Sequence, residues 1–197
     1  SNLDNDEPFI DAVPKEKPMG ANYYPADITK EEFETWVKSL PQAEQQMATG
    51  FFYTIHRDDD GRLFPVPYNN EYKSLLGKAS ALLGEAAALT DNGSLKAYLT
   101  KRAAAFLSND YYDSDVAWMD LDSPIEPTIG PYEVYMDKLF NYKAAFEAFI
   151  TLRNEEETKK LEKYSGYLQE IENNLPIDAK YRNPKLGALS PIRVVDE

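Results

Sequence analysis

The residues best suited to chemistry lie in Gly130-Pro131-Tyr132-Glu133-Val134-Tyr135-Met136-Asp137. Glu133 and Tyr135 are two apart, so on an extended segment they point to the same side. A carboxylate there can hold an ammonium group through a charge-assisted hydrogen bond. A phenol beside it can donate to an oxyanion as charge develops. The competing reading of the pair is a strand edge with an aromatic packing residue. Other chemistry is scarce. There is no cysteine and a single histidine, His56, which rules out thiolate chemistry and leaves few routes to a histidine metal site or a catalytic triad. His56 falls in an expected strand with no His or Cys near it, which favours a structural or exposed role.

Two acidic runs are weaker candidates. Arg57-Asp58-Asp59-Asp60-Gly61 clusters oxygens that could suit a hard cation. It lacks the spacing and distal Glu of an EF-hand loop and reads better as a solvated hairpin turn. Asn109-Asp110-Tyr111-Tyr112-Asp113-Ser114-Asp115 could bind a cation or a basic ligand. It also reads as a turn in which Asp113 or Ser114 caps a short helix. Arg153-Asn154-Glu155-Glu156-Glu157 suggests the metal-binding helix of Nudix hydrolases, but that motif's upstream glycine and Arg-Glu pair are missing. The run instead suits the start of a helix, with acids first and Lys159 and Lys160 later.

Positioning elements follow from local patterns. Thr29-Lys30-Glu31-Glu32 is a capping box, with Ile28 and Phe33 as its hydrophobic staple; Pro41 interrupts that helix or starts a second. Phe51–Arg57 and Arg62–Pro67 flank Asp60-Gly61 as a hairpin, with Pro65 and Pro67 marking an edge strand. Asn69 or Asn70 is expected to cap a long helix whose apolar stripe is Tyr72, Leu75, Leu76, Ala79, Leu82, Leu83, Ala86 and Leu89. Asn92-Gly93 ends it. Ser94 is expected to cap the next helix, with Leu95, Tyr98, Leu99, Ala103, Phe106 and Leu107 inward, giving an antiparallel helical hairpin. Ser123–Pro131 reads as extended. Ala145–Leu152 fits a strand or a helix turn, with strand preferred for its Phe149-Ile150-Thr151. Asn154 caps a last helix carrying Leu161, Tyr164, Leu168, Ile171 and Leu175 on one side, stopped by Pro176. The expected fold is α+β, predominantly helical with a small antiparallel sheet. Residues 1–22 form an extended acidic and proline-rich lead-in and residues 23–197 a single helix-rich lobe. Ile192, Val194 and Val195 look like the beginning of a strand, which suggests truncation at a lobe junction.

Whole-chain composition narrows the partners. Over 197 residues, 21 Lys+Arg against 34 Asp+Glu give a net charge of −13, which disfavours nucleic acid and anionic lipid. Hydrophobic residues at 43% and aromatics at 13% support a sizeable core rather than a disordered tail. No apolar run is long enough for a transmembrane segment.

Ile129-Gly130-Pro131-Tyr132-Glu133-Val134-Tyr135-Met136-Asp137, followed by Phe146-Glu147-Ala148-Phe149, resembles the dipeptidyl peptidase III family of zinc metallopeptidases. Its pattern is Ile-Gly, two residues, Glu, one residue, Tyr, one residue, Asp, then Phe-Glu-x-Phe. Blocks at Tyr23–Phe33, Ser114–Asp120 and Lys138–Phe149 resemble its bacterial branch, in the expected order. The resemblance implies two lobes around a cleft, with zinc held by a His-Glu helix and a downstream Glu on the helical lobe. It implies that Tyr135 stabilises the transition state as the catalytic residue and that Glu133 binds the free amino terminus of an oligopeptide substrate. No zinc motif occurs in these residues. The chain therefore reads as the N-terminal, substrate-side lobe, inactive by itself, with zinc expected in the missing C-terminal part and that catalytic lobe as its partner. A stand-alone acidic helical module binding a protein or peptide is the alternative. The acidic lead-in, similar to the tether of some bacterial lipoproteins, favours the cell envelope or periplasm over the cytoplasm.

Overall fold

The computed structural model describes residues 11–12, 15–186 and 193–196. The first helix, α1 (Lys30–Ser39), begins where the capping pattern predicts: the Thr29 hydroxyl accepts the Glu32 amide at 3.1 Å. The reciprocal half of the box is put to a different use. The Glu32 carboxylate instead takes a bidentate pair of bonds from Arg57, at 2.7 and 3.0 Å, tying α1 to the hairpin. That bond also holds the Glu32 carboxyl below the ordinary range. Pro41 opens a short second helix, α2 (Gln42–Ala48).

β1 (Tyr53–Arg57) and β2 (Leu63–Pro67) form the expected hairpin, in register from Tyr53↔Pro67 to Arg57↔Leu63. Its turn is closed by Asp58, whose carboxylate accepts the Arg62 amide at 2.7 Å, and Gly61 supplies the left-handed φ of 81°. The His56 Nε2 donates to the Glu71 carboxylate at 2.7 Å and lies 3.1 Å from the Thr54 hydroxyl, so it joins β1 to the next helix.

That helix is not capped by asparagine. A single turn, α3 (Tyr68–Glu71), comes directly after Pro67 and passes at Tyr72 into α4 (Lys73–Leu89), with no side-chain cap on either. Asn69 is drawn instead to the Leu107 carbonyl. α5 (Gly93–Ser108) is capped by Asn92, which accepts the Leu95 amide, and not by Ser94. The two form an antiparallel hairpin, and their shared core joins Leu76, Leu83 and Ala87 to Leu95, Tyr98, Leu99 and Phe106. Only part of the expected stripe is buried. Leu75, Leu82, Leu89 and Leu107 face solvent, because one neighbouring helix covers less arc than the apolar stripe spans. α6 (Tyr112–Met119) starts earlier than expected, so neither Asp113 nor Ser114 caps it; Asp110 accepts the Tyr112 amide.

β3 (Ile125–Glu133) and β4 (Ala145–Arg153) pair antiparallel, and β5 (Val195–Asp196) adds to β4. Ala145–Leu152 is thus a strand. Ile192 lies outside the described residues. Asn154 caps α7 (Glu155–Ser165) by accepting the Glu157 amide. The expected long helix is broken at Gly166-Tyr167, and α8 (Leu168–Asn173) comes next as a separate piece with Ile171 exposed. The architecture is α+β, with two small antiparallel sheets among helices. A second core, of Tyr24, Ile28, Phe33, Ala48, Ile55, Leu63 and Leu139, joins α1, α2 and the β1–β2 hairpin to the connection between β3 and β4.

Candidate functional site

Glu133 is the last residue of β3, and Tyr135 lies in the turn beyond it. The strand alternation expected to align them therefore stops two residues short of Tyr135. The turn still brings the two close enough for the Glu133 carboxylate to be the first cause that raises the Tyr135 pKa. A phenolate would meet that carboxylate's charge, so the phenol proton is harder to lose. The phenol is thus kept as a donor, and its side chain is 63% exposed.

A third group joins them. Gly130 pairs with Glu147 and Pro131 with Phe146, but Glu133 pairs with Ala145, so Tyr132 is the extra residue of a bulge. In an unbroken ladder Glu133 would oppose Ala144 and would sit on the sheet face away from Glu147. The one-residue slip reverses that face. Glu133 and Glu147 consequently lie on one face, and the Glu147 carboxyl is pushed up by burial first and then by the neighbouring charge of Glu133. A carboxylate, a protonatable carboxyl and an exposed phenol thus meet at the end of one hairpin.

The turn after β3 is densely hydrogen-bonded. The Asp137 carboxylate, fully buried, accepts five backbone amides, those of Leu139, Phe140, Asn141, Tyr142 and Lys143, at 2.8–3.3 Å. Such a nest holds Lys138 and Asn141 at φ of 54° and 58°, which L residues otherwise avoid. Lys143 is also buried and donates to the Ala48 and Gly50 carbonyls at 2.7 and 3.0 Å, anchoring the turn to α2. Burial lowers its pKa to about 7 against the pull of Asp137. Its neutral form still offers two N–H donors, enough for both carbonyls.

Several other candidates do not assemble. Asp58–Asp60 form the β1–β2 turn, and Asp60 pairs with Arg62. Asp110, Asp113 and Asp115 open α6, where Asp115 pairs with the buried Arg102. A cavity of about 260 Å³ is lined by Phe33, Val37, Lys38, Thr49, Phe140 and Tyr142, and neither Glu133 nor Tyr135 borders it. No group of three His, Cys, Asp or Glu able to hold a metal occurs among the described residues. The residues that the sequence left without a role are Glu147 and Arg102. Arg102 was discoverable, because a charge at the centre of the α5 apolar stripe, between Leu99 and Phe106, must be buried with partners. Glu147 was not, because its place depends on a bulge.

The sequence and this geometry have relatives. Residues 28–188 match the model of Peptidase family M49. The structure of dipeptidyl-peptidase III from Corallococcus sp. strain EGB is 62% identical with a TM-score of 0.78, covering 96% of this chain and 35% of that one. The structure of DPP III from Caldithrix abyssi is 55% identical with a TM-score of 0.88, covering 99% of this chain and 37% of that one. Nudix hydrolase 3 of Arabidopsis thaliana is 42% identical over 204 residues, which make up 93% of this chain and 26% of that protein. Its name brings no Nudix helix here, for Glu156 and Glu157 of α7 simply pair with Lys160. The chain spans about a third of the solved relatives and about a quarter of the curated one. Matched over most of its length by the family model, this chain belongs to peptidase family M49.

Proposed function

We propose that this chain is the substrate-side lobe of a zinc-dependent exopeptidase acting on oligopeptides, inactive by itself. The observation that carries the reading is the Glu133–Tyr135 contact at an exposed strand end, in a chain of this family. Glu133 binds the substrate's terminal ammonium. Before binding, the carboxylate is faced by the Tyr135 hydroxyl and by Glu147. An arriving ammonium, a stronger donor, replaces them. Tyr135, released and still protonated, is then free to donate to the carbonyl oxygen as negative charge builds on it.

The described residues do not fit a catalytic zinc. His56 is committed to Glu71 and Thr54, and no third ligand stands near. The reading therefore assigns zinc to a C-terminal lobe of the intact protein, which would close over the hairpin end, and no step here runs through the metal.

Tyr135→Phe in the intact protein tests the reading. Removing one oxyanion donor is expected to lower kcat on the order of 100-fold with KM nearly unchanged. Unaltered kcat would remove Tyr135 from the chemistry.

A further inference from the structure

Glu133 shares a sheet face with Glu147 only because β3 carries one extra residue, so whatever holds Tyr132 in the bulge sets that face. Arg102, on α5, is fully buried. Its Nη2 donates to the Tyr132 hydroxyl and to Asp115 Oδ1, both at 2.5 Å, and that hydroxyl lies 3.3 Å from the same Asp115 oxygen. The guanidinium lies 5.3 Å from the Tyr132 ring centroid and is faced equally closely by Tyr98 and Tyr111. A desolvated cation among three aromatic rings is held in one place by their faces and by its carboxylate.

The same guanidinium explains the glycine of the Ile-Gly pair. A Cβ at Gly130 would stand 2.9 Å from Arg102 Nη1 and 3.1 Å from the Tyr132 ring. No side chain fits between the strand and the arginine. Tyr98, one turn earlier on α5, touches the same stretch through its hydroxyl, at 3.3 Å from the Ile129 amide. Arg102 and Tyr98 thus grip β3 at residues 129, 130 and 132, directly before Glu133. An extra residue can slide along a ladder unless something outside the ladder fixes it.

We propose that Arg102 is a positioning residue: by holding Tyr132 and closing on Gly130 it fixes the bulge that turns Glu133 onto the face of Glu147. Its value to the protein rests on the reading of Glu133 as the ammonium holder, but its geometry does not. Arg102 never touches substrate. It sets the face on which the carboxylate stands.

The test reads the site from Glu147. Carboxyl carbon NMR on the intact protein follows the titration midpoint of Glu147 in the parent, Tyr132→Phe, Tyr132→Ala, Glu133→Gln and the Tyr132→Ala/Glu133→Gln double variant. In the parent the midpoint lies above that of an ordinary glutamate. Glu133→Gln lowers it. Tyr132→Ala lowers it by the same amount, Tyr132→Phe by part of it, and the double variant adds nothing to Glu133→Gln. A midpoint in Tyr132→Ala equal to the parent's, or an additive double variant, overturns the positioning role. A second readout separates this from the ammonium reading. Binding of a free-amine peptide weakens about tenfold in Tyr132→Ala but is unaffected by Tyr132→Ala when Glu133 is already Gln. If the NMR cycle closes while Glu133→Gln leaves peptide binding unchanged, the positioning role stands and the ammonium reading fails.

Discussion

Glu133 and Asp137 are acids four residues apart in one hairpin, and the structure treats them oppositely. Asp137 is fully buried and spends both oxygens on five backbone amides. Glu133 stands half-buried at a strand end, and the side chains that face it are two groups that a ligand can displace, a phenol and a second carboxyl. A carboxylate saturated by amides inside the protein builds the turn. A carboxylate faced only by displaceable groups at the surface is available for work. The difference comes from backbone geometry: the turn after Asp137 aims consecutive N–H groups at it, whereas the bulge before Glu133 aims another acid.

The comparison breaks first at Asp137. Asp137→Ala leaves five buried or half-buried amides without their acceptor, and losing a charged acceptor of this kind costs roughly 3 kcal/mol or more. Urea unfolding should show that loss, whereas Glu133→Gln should stay within about 0.5 kcal/mol of the parent. Equal effects of the two changes on the urea midpoint would mean that the two carboxylates are not divided into structure and function.

Lys143 sharpens the same contrast more gently. It is buried beside Asp137, and its pKa falls to about 7 from the ordinary 10.5. Between those values the unfolded chain carries the proton and the folded chain does not. The contribution of Lys143 to stability therefore rises as pH climbs from about 7 toward 10. Lys143→Met, similar in length and never charged, should remove that slope. Thermal unfolding at pH 7, 8 and 9 should find the gap in Tm between parent and variant changing with pH, and a constant gap would contradict the shift.

Much of the scaffold was legible because its signals are local. The Thr29 cap, the Asp60-Gly61 turn, the β4 strand and the Asn154 cap each depend on a few adjacent residues. Where expectation and structure part, groups compete. Asn69 lost its capping role to the Leu107 carbonyl, and Asn92 outcompeted Ser94 for the start of α5. Leu75, Leu82 and Leu89 obey helical periodicity yet are exposed, since periodicity says which residues share a face and not how wide a partner will cover it. At the site, spacing and the family resemblance picked out Glu133 and Tyr135, but the extended run expected to align them ends at Glu133 and the turn brings them near one another instead. The role of Glu147 was hidden because a bulge reverses faces, and no adjacent residue announces that slip. Arg102 is masked by the apolar members of its stripe, although its charge among them is the signal of a buried partner.

Affinity for a free-amine oligopeptide, set against the same peptide N-acetylated, most directly tests whether Glu133 is the working carboxylate. Measured by calorimetry on the intact protein, Glu133→Gln should weaken binding of the free-amine peptide by about 10- to 100-fold, the value of a charge-assisted hydrogen bond, and leave the acetylated one unchanged. An equal loss for both peptides, or none for either, would contradict the assignment.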